Sequence, residues 1–170
     1  MFDPANIYAL LPSRILILDG AMGTLLQEQR FSEADFRGNW FAEHPKSMKG
    51  NYDMLSLTQP ETIRNIHRSY LSAGADIIRT NTFNSNRISQ LEYGTERMAY
   101  ALNISSVLLA REVVDAYKTH NPGKAGFVAG TMGPTSQNVS LSGENDRRGS
   151  HISSFQKVYR AYYEQALGLM

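Results

Sequence analysis

The sequence predicts an α/β fold, and three observations carry the prediction. Short apolar runs occur at residues 15–18, 75–78 and 127–130. Each ends abruptly in small polar or glycine-rich residues, and each is followed by a stretch with helical spacing. Loops that follow the strands therefore gather at their C-terminal ends, where α/β proteins place their sites. Periodicity alone leaves a closed barrel and an open sheet as alternatives.

Asp3-Pro4 is an N-cap followed by proline at the first helical position, and Ile7, Leu10 and Leu11 then share one face of a short helix. Arg14-Ile15-Leu16-Ile17-Leu18 follows as a first strand. Its continuous apolarity is the pattern of a strand buried on both faces of a parallel sheet. Residues 31–52 show neither helical nor strand period and are expected to form a long connecting excursion. Thr58-Gln59-Pro60-Glu61 has capping-box spacing with proline in the first turn. Ile63, Ile66, Tyr70 and Leu71 continue at helical intervals until Gly74 closes the element. A second strand, Ala75-Asp76-Ile77-Ile78, runs into Arg79-Thr80-Asn81-Thr82-Phe83-Asn84. Met98, Ala101, Leu102, Leu108 and Leu109 mark a further helix that lasts to the breaker Asn121-Pro122-Gly123. A third strand, Phe127-Val128-Ala129-Gly130, leads into Thr131-Met132-Gly133-Pro134-Thr135. Ser153 and Gln156 offer a last capping box, with Phe155, Val158, Tyr159, Tyr162, Ala166 and Leu169 as the apolar stripe of a helix running to Met170.

The 170 residues are 42% hydrophobic and 19% charged, which is globular composition with room for one domain. Seventeen Lys and Arg balance sixteen Asp and Glu without a charged block, so nothing points to nucleic acid or a membrane surface as partner. No apolar run is long enough for a signal segment or a membrane span, and the expected location is cytoplasmic. Cysteine is absent, and the four histidines share no ligand-like spacing, so no metal site or catalytic triad is assigned. His67 lies beside the apolar stripe of its helix and is expected to pack or to face solvent. Tyr159, Tyr162 and Tyr163 are expected to divide between core and surface.

Three strand ends carry the candidate site. Asp19-Gly20-Ala21-Met22-Gly23-Thr24 allows close approach of a ligand to backbone N–H groups at a helix start, although such turns also arise for geometric reasons alone. The Thr80 to Asn84 cluster concentrates hydrogen-bonding side chains that need partners, with a polar ligand and structural turn-capping as rival sources. Thr135 and Ser136 follow the Gly133-Pro134 turn and add hydroxyls to the same end.

Leu18 to Thr24, Asn51-Tyr52-Asp53 with Thr58-Gln59-Pro60-Glu61, Ala73 to Ile78, Thr80 to Asn84, and Ala129-Gly130 with Gly133-Pro134-Thr135 resemble, in order and spacing, the homocysteine S-methyltransferase family. Glu33 to Gly38, Lys49-Gly50-Asn51 and the Thr80 to Ser85 run are closest to its cobalamin-dependent methionine synthase branch. The resemblance runs from about Arg14 to the C-terminus. It implies a (β/α)8 TIM barrel, of which residues 1–170 would be the N-terminal portion, about three βα units of a truncated domain, since a whole barrel takes about 250 residues. It also implies a zinc ion on three cysteines that deprotonates the homocysteine thiol, because a free thiol near neutral pH is mostly protonated and a poor nucleophile. The methyl group would come from methylcobalamin, and ultimately from 5-methyltetrahydrofolate, on downstream cobalamin- and folate-binding modules, to yield methionine. Neither zinc nor cobalamin is expected on this chain alone, which would be inactive by itself. By the same resemblance Asp19, Gly20 and Ala21 would hold the amino-acid head group, and Asn81, Thr82 and Thr135 would line the pocket. Arg79 departs from the family, which usually has Glu there, and reverses a charge beside the pocket. Two alternatives stand beside this reading: a non-catalytic homocysteine-binding or assembly module, and a cobalamin-independent homocysteine S-methyltransferase using betaine or S-methylmethionine.

Overall fold

The computed structural model describes residues 6–136 and 155–170. The proposed Asp3-Pro4 cap and Ser153 of the last capping box lie outside the described residues. The fold is mixed α/β and mostly helical. In chain order its regular elements are α1 (Ile7–Leu10), α2 (Met22–Glu28), α3 (Glu33–Arg37), α4 (Leu55–Thr58), α5 (Pro60–Ser72), β1 (Ile77–Arg79), α6 (Arg87–Gln90), α7 (Ala99–His120), β2 (Phe127–Ala129) and α8 (Phe155–Leu169).

β1 and β2 pair in parallel, with Ile77, Ile78 and Arg79 opposite Phe127, Val128 and Ala129. The expected first strand joins the other side of β1 by one parallel bridge, Leu18 to Ile77. Asp19 N–H donates to the Ile77 carbonyl, and the N–H groups of Asp76 and Ile77 donate to that of Ile17. All three strand ends therefore point one way. The expectation of burial on both faces fails here: Ile15 is 88% exposed, and Ile17 and Leu18 are also exposed. This segment is the sheet edge, and among the described residues no strand pairs on its far side.

The alternating pleat sends Ile78 to one face of β1 and Ile77 and Arg79 to the other. Ile78 packs with Leu71 of α5 and Ala110, Val113 and Val114 of α7. The larger core, built on Leu26, Phe36, Met48, Met54, Leu55, Ile63, Ile66, Leu102 and Leu109, joins the helices to the segment before α4.

The predicted α5 forms, with Pro60 at its first turn, but its cap is Gln59 and has no side-chain hydrogen bond. Thr58 instead ends α4, and its hydroxyl bonds back to the Met54 carbonyl, so the capping box is not made. Gly74 follows α5 at φ +106, a conformation that favours glycine. In α1 the cap is the Asn6 side chain, and Leu10 is buried while Leu11 is exposed. The α7 stripe also shifts: Leu102 and Leu109 are buried, but Leu108 faces solvent.

Residues 31–52 hold more structure than expected. Ser32 and Asp35 form a reciprocal capping box for α3, placing Phe36 edge-on against Phe31 and Tyr52. Glu33 then accepts the N–H groups of Met48 and Lys49, while Arg37 donates to the carbonyls of Phe41, Ala42, His44 and Lys46. These two side chains fold the excursion back on α3.

α8 forms as expected with its stripe rotated. Val158, Ala161, Gln165 and Gly168 are buried, whereas Phe155 and Tyr159 are exposed. Gly168 sits against Asn103 and Tyr100 of α7, where a Cβ would come within 2.8 Å, so close helix packing sets the rotation. Tyr159 and Tyr163 stack on the surface at 6.1 Å, and the Tyr162 hydroxyl donates to the Gly133 carbonyl.

Candidate functional site

The three strand ends meet as the sequence suggested, and hydrogen bonds tie them together. Asp19 is held by Arg79 at the end of β1: Oδ2 accepts the Arg79 backbone N–H at 2.9 Å and Oδ1 accepts Nε at 2.8 Å. Arg79 Nη2 also donates to the carbonyls of Asp19 at 3.3 Å and Gly20 at 2.6 Å. Asp19's side chain is 1% exposed and that of Arg79 39%. Gly20 and Ala21 are exposed beside it. Tyr70 of α5 supports them from below, donating its hydroxyl to the Ala21 carbonyl. A Cβ on Gly20 would lie 2.9 Å from that hydroxyl, so a larger residue there would displace the Tyr70 ring end.

Thr80 and Thr82 share a hydroxyl hydrogen bond of 2.6 Å, and Thr82 Oγ1 and the Thr131 carbonyl are linked at 2.7 Å. Thr131 N–H donates to Thr80 Oγ1, which stitches the end of β1 to the end of β2. Asn81 Nδ2 donates to the Tyr52 carbonyl at 2.8 Å, and the Asn81 carbonyl accepts from Ser106. Gln165 of α8 donates to the Thr82 carbonyl at 2.8 Å. The side chains of Asn81 and Thr82 thus brace the strand ends from within. Thr135 is half-buried beyond Gly133-Pro134. Gly133 N–H donates to the Phe83 carbonyl, and a Cβ on Gly133 would meet that oxygen at 2.5 Å. Phe83 and Met132 remain exposed at this end.

Two buried titratable groups flank the cluster, neither of them a sequence candidate. Asp53 accepts the Asn84 N–H at 2.6 Å, and burial pushes its carboxyl up to about 7 against the pull of that hydrogen bond. His67 on α5 is fully buried, neither ring nitrogen has a hydrogen-bond partner among the described residues, and burial lowers it to about 4 although the nearby Asp19 charge acts the other way. The Asn51-Tyr52-Asp53 motif carried part of the family resemblance but gave Asp53 no role, and nothing in the spacing pointed to His67 as more than a packed residue. A cavity of about 800 Å³ lies between α6 and α8, lined among others by Arg87, Glu96, Arg160 and Glu164, and none of the candidate residues lines it.

The arrangement is a cluster at the ends of parallel strands, in which the Asp19 turn is locked by Arg79 and the Thr80 and Thr82 hydroxyls are bonded to each other and to Thr131. The homocysteine S-methyltransferase family profile matches residues 16–170, and the chain belongs to that family. Over 98% of its length it is similar to the homocysteine methyltransferase MmuM from Escherichia coli. Identity is 27% with a TM-score of 0.68 for the oxidized form, and 26% with 0.68 for the metallated form. The apo form gives 25% and 0.55. The chain covers 52%, 53% and 49% of those three structures, about half of their length.

The zinc that the family resemblance implies finds no match in the residues present. The sequence has no cysteine, and among the described residues no three His, Asp or Glu side chains are grouped to hold a metal. Among the same residues no helix is long and apolar enough to cross a membrane.

Proposed function

We propose that this chain is the N-terminal portion of a (β/α)8 barrel that binds homocysteine for methyl transfer to its thiol, with Asp19, Gly20 and Ala21 at the amino-acid head group and Asn81, Thr82 and Thr135 around the pocket. The observation that carries the reading is the convergence of the family's strand-end segments on one hydrogen-bonded cluster around Asp19 and Thr82. The exposed sheet edge at Ile15 and Ile17 fits a part-barrel whose neighbouring strands lie elsewhere in the protein.

In this reading the chain orients the amino acid, and thiol activation belongs to groups outside these 170 residues. Binding uses the exposed Gly20-Ala21 backbone, because Asn81 and Thr82 already spend their side chains on the protein. The donor in the whole protein is methylcobalamin, charged by a folate module, and the setting is the cytoplasm; the segment 33–38 and the Thr80 to Ser85 run support that branch.

Titration of the ¹⁵N-labelled chain with L-homocysteine tests the reading. Saturable shifts confined to residues 19–24, 80–84 and 131–135 are expected. Their absence at millimolar ligand overturns homocysteine binding by this chain. The intact mass of the native protein tests the donor: a large multimodular mass supports cobalamin, and a mass near 19.0 kDa excludes fused modules.

A further inference from the structure

Arg79 faces away from the helices, on the same side of the sheet as Ile77, because Ile78 between them enters the α5–α7 core. Its Nε and Nη2 are spent on Asp19 and Gly20, whereas Nη1 has no hydrogen-bond partner among the described residues. The guanidinium is planar, so fixing one edge against Asp19 fixes where the other edge lies. Both Asp19 oxygens are engaged and its side chain is almost wholly excluded from solvent. A ligand ammonium therefore has no open route to this carboxylate, while a ligand carboxylate has an immobilised, partly exposed cation beside the exposed turn at Gly20.

We propose that Arg79 determines specificity at this site by receiving the substrate's carboxylate on its Nη1 edge, with Asp19 acting as the fixed counter-ion that orients the guanidinium. The inference rests on the homocysteine reading and assigns to Arg79 the half of the amino-acid group that Asp19 cannot take. It inverts the simple expectation in which Asp19 meets the ammonium directly.

A ligand-independent measurement tests the lock. In the full chain labelled at arginine with ¹⁵N, the Arg79 Nε–H exchanges slowly with solvent, and Asp19→Asn accelerates that exchange about tenfold or more. An unprotected Nε–H in the unaltered chain overturns the proposal. Binding of three thiols then tests the carboxylate assignment: homocysteine, 4-mercaptobutanoate, which lacks the amine, and 3-aminopropanethiol, which lacks the carboxylate. Loss of the carboxylate is expected to weaken binding about ten- to a hundredfold and loss of the amine about threefold or less, from the strength of a charge-assisted hydrogen bond. Arg79→Gln removes the preference and Arg79→Lys restores part of it. The reverse ranking, or a preference untouched by Arg79→Gln, overturns the assignment. If none of the three binds, the homocysteine reading fails and the carboxylate assignment with it, while a protected Nε–H upholds the lock.

Discussion

Asp53 accepts the Asn84 backbone N–H at 2.6 Å in a site that excludes nearly all solvent, so the chain keeps a carboxyl where its charge is poorly tolerated. Its folded pKa, about 7, lies above the ordinary 3.8, and the stability it contributes is full below pH 3.8 and lost as pH rises through 7. His67 works in the opposite sense. Its folded value of about 4 lies below the ordinary 6.5, so its contribution is present above pH 6.5 and lost as pH falls through 4. The two slopes oppose each other across the same window. Each shift amounts to a few kcal/mol at about 1.4 kcal/mol per pH unit. Urea titrations between pH 4 and 6.5 should find the unaltered chain nearly flat from these two groups, Asp53→Asn rising with pH, and His67→Met falling. Parallel curves for all three proteins would show that neither group is linked to folding.

Glu33 gathers the loop that returns from α3 to Met48. The Met48 N–H is the main cause that holds its carboxyl down at about 2, with help from Ser47, Lys49 and Arg37. Glu33→Gln should speed hydrogen exchange at the Met48 and Lys49 amides while leaving the amides of α7 protected. Unchanged exchange at residues 48 and 49 would mean that Arg37 alone holds the loop.

Gly133 and Gly23 make a paired test of close approach. A Cβ at Gly133 would sit 2.5 Å from the Phe83 carbonyl oxygen, whereas one at Gly23 in α2 meets nothing within 4 Å. Gly133→Ala is expected to cost about 1–3 kcal/mol in urea unfolding, and Gly23→Ala to stabilise by about 0.5–1 kcal/mol. Equal effects would refute the close approach of the two strand-end loops.

Ile15 projects from the sheet edge with 88% of its surface exposed, next to exposed Ile17. Unpaired apolar edges template association with other chains, and a lysine there disfavours it. Ile15→Lys should lower light scattering at high protein concentration without changing the midpoint of unfolding. Undiminished scattering would place the sticky surface elsewhere.

Local signals in the sequence located the elements that short-range chemistry controls. Pro60, Gly74 and the Asn121-Pro122-Gly123 breaker punctuate α5 and α7, and both strands β1 and β2 follow from their apolar runs. The Ser32-x-x-Asp35 spacing was equally legible as a cap and would have revealed α3 inside a stretch whose mixed periodicity masked it. The rotation of α8 was not legible, because the fit of Gly168 against α7 decides it. The three strand ends do converge, but the spacing of the candidate residues could not tell that Arg79 would engage both Asp19 oxygens or that Asn81 would turn inward to Tyr52. Those outcomes depend on which donors the tertiary packing places within reach of each acceptor.

The Gln165 amide that donates to the Thr82 carbonyl joins residues 83 positions apart in the chain. Bringing such distant partners together costs loop-closure entropy that local helix formation does not. The strand ends can therefore form their threonine stitches early, but the cluster acquires its last donor only when α8 docks. During synthesis the Thr82 carbonyl thus waits for its Gln165 donor until 83 further residues have been made, so this part of the cluster closes well after the strand that carries it.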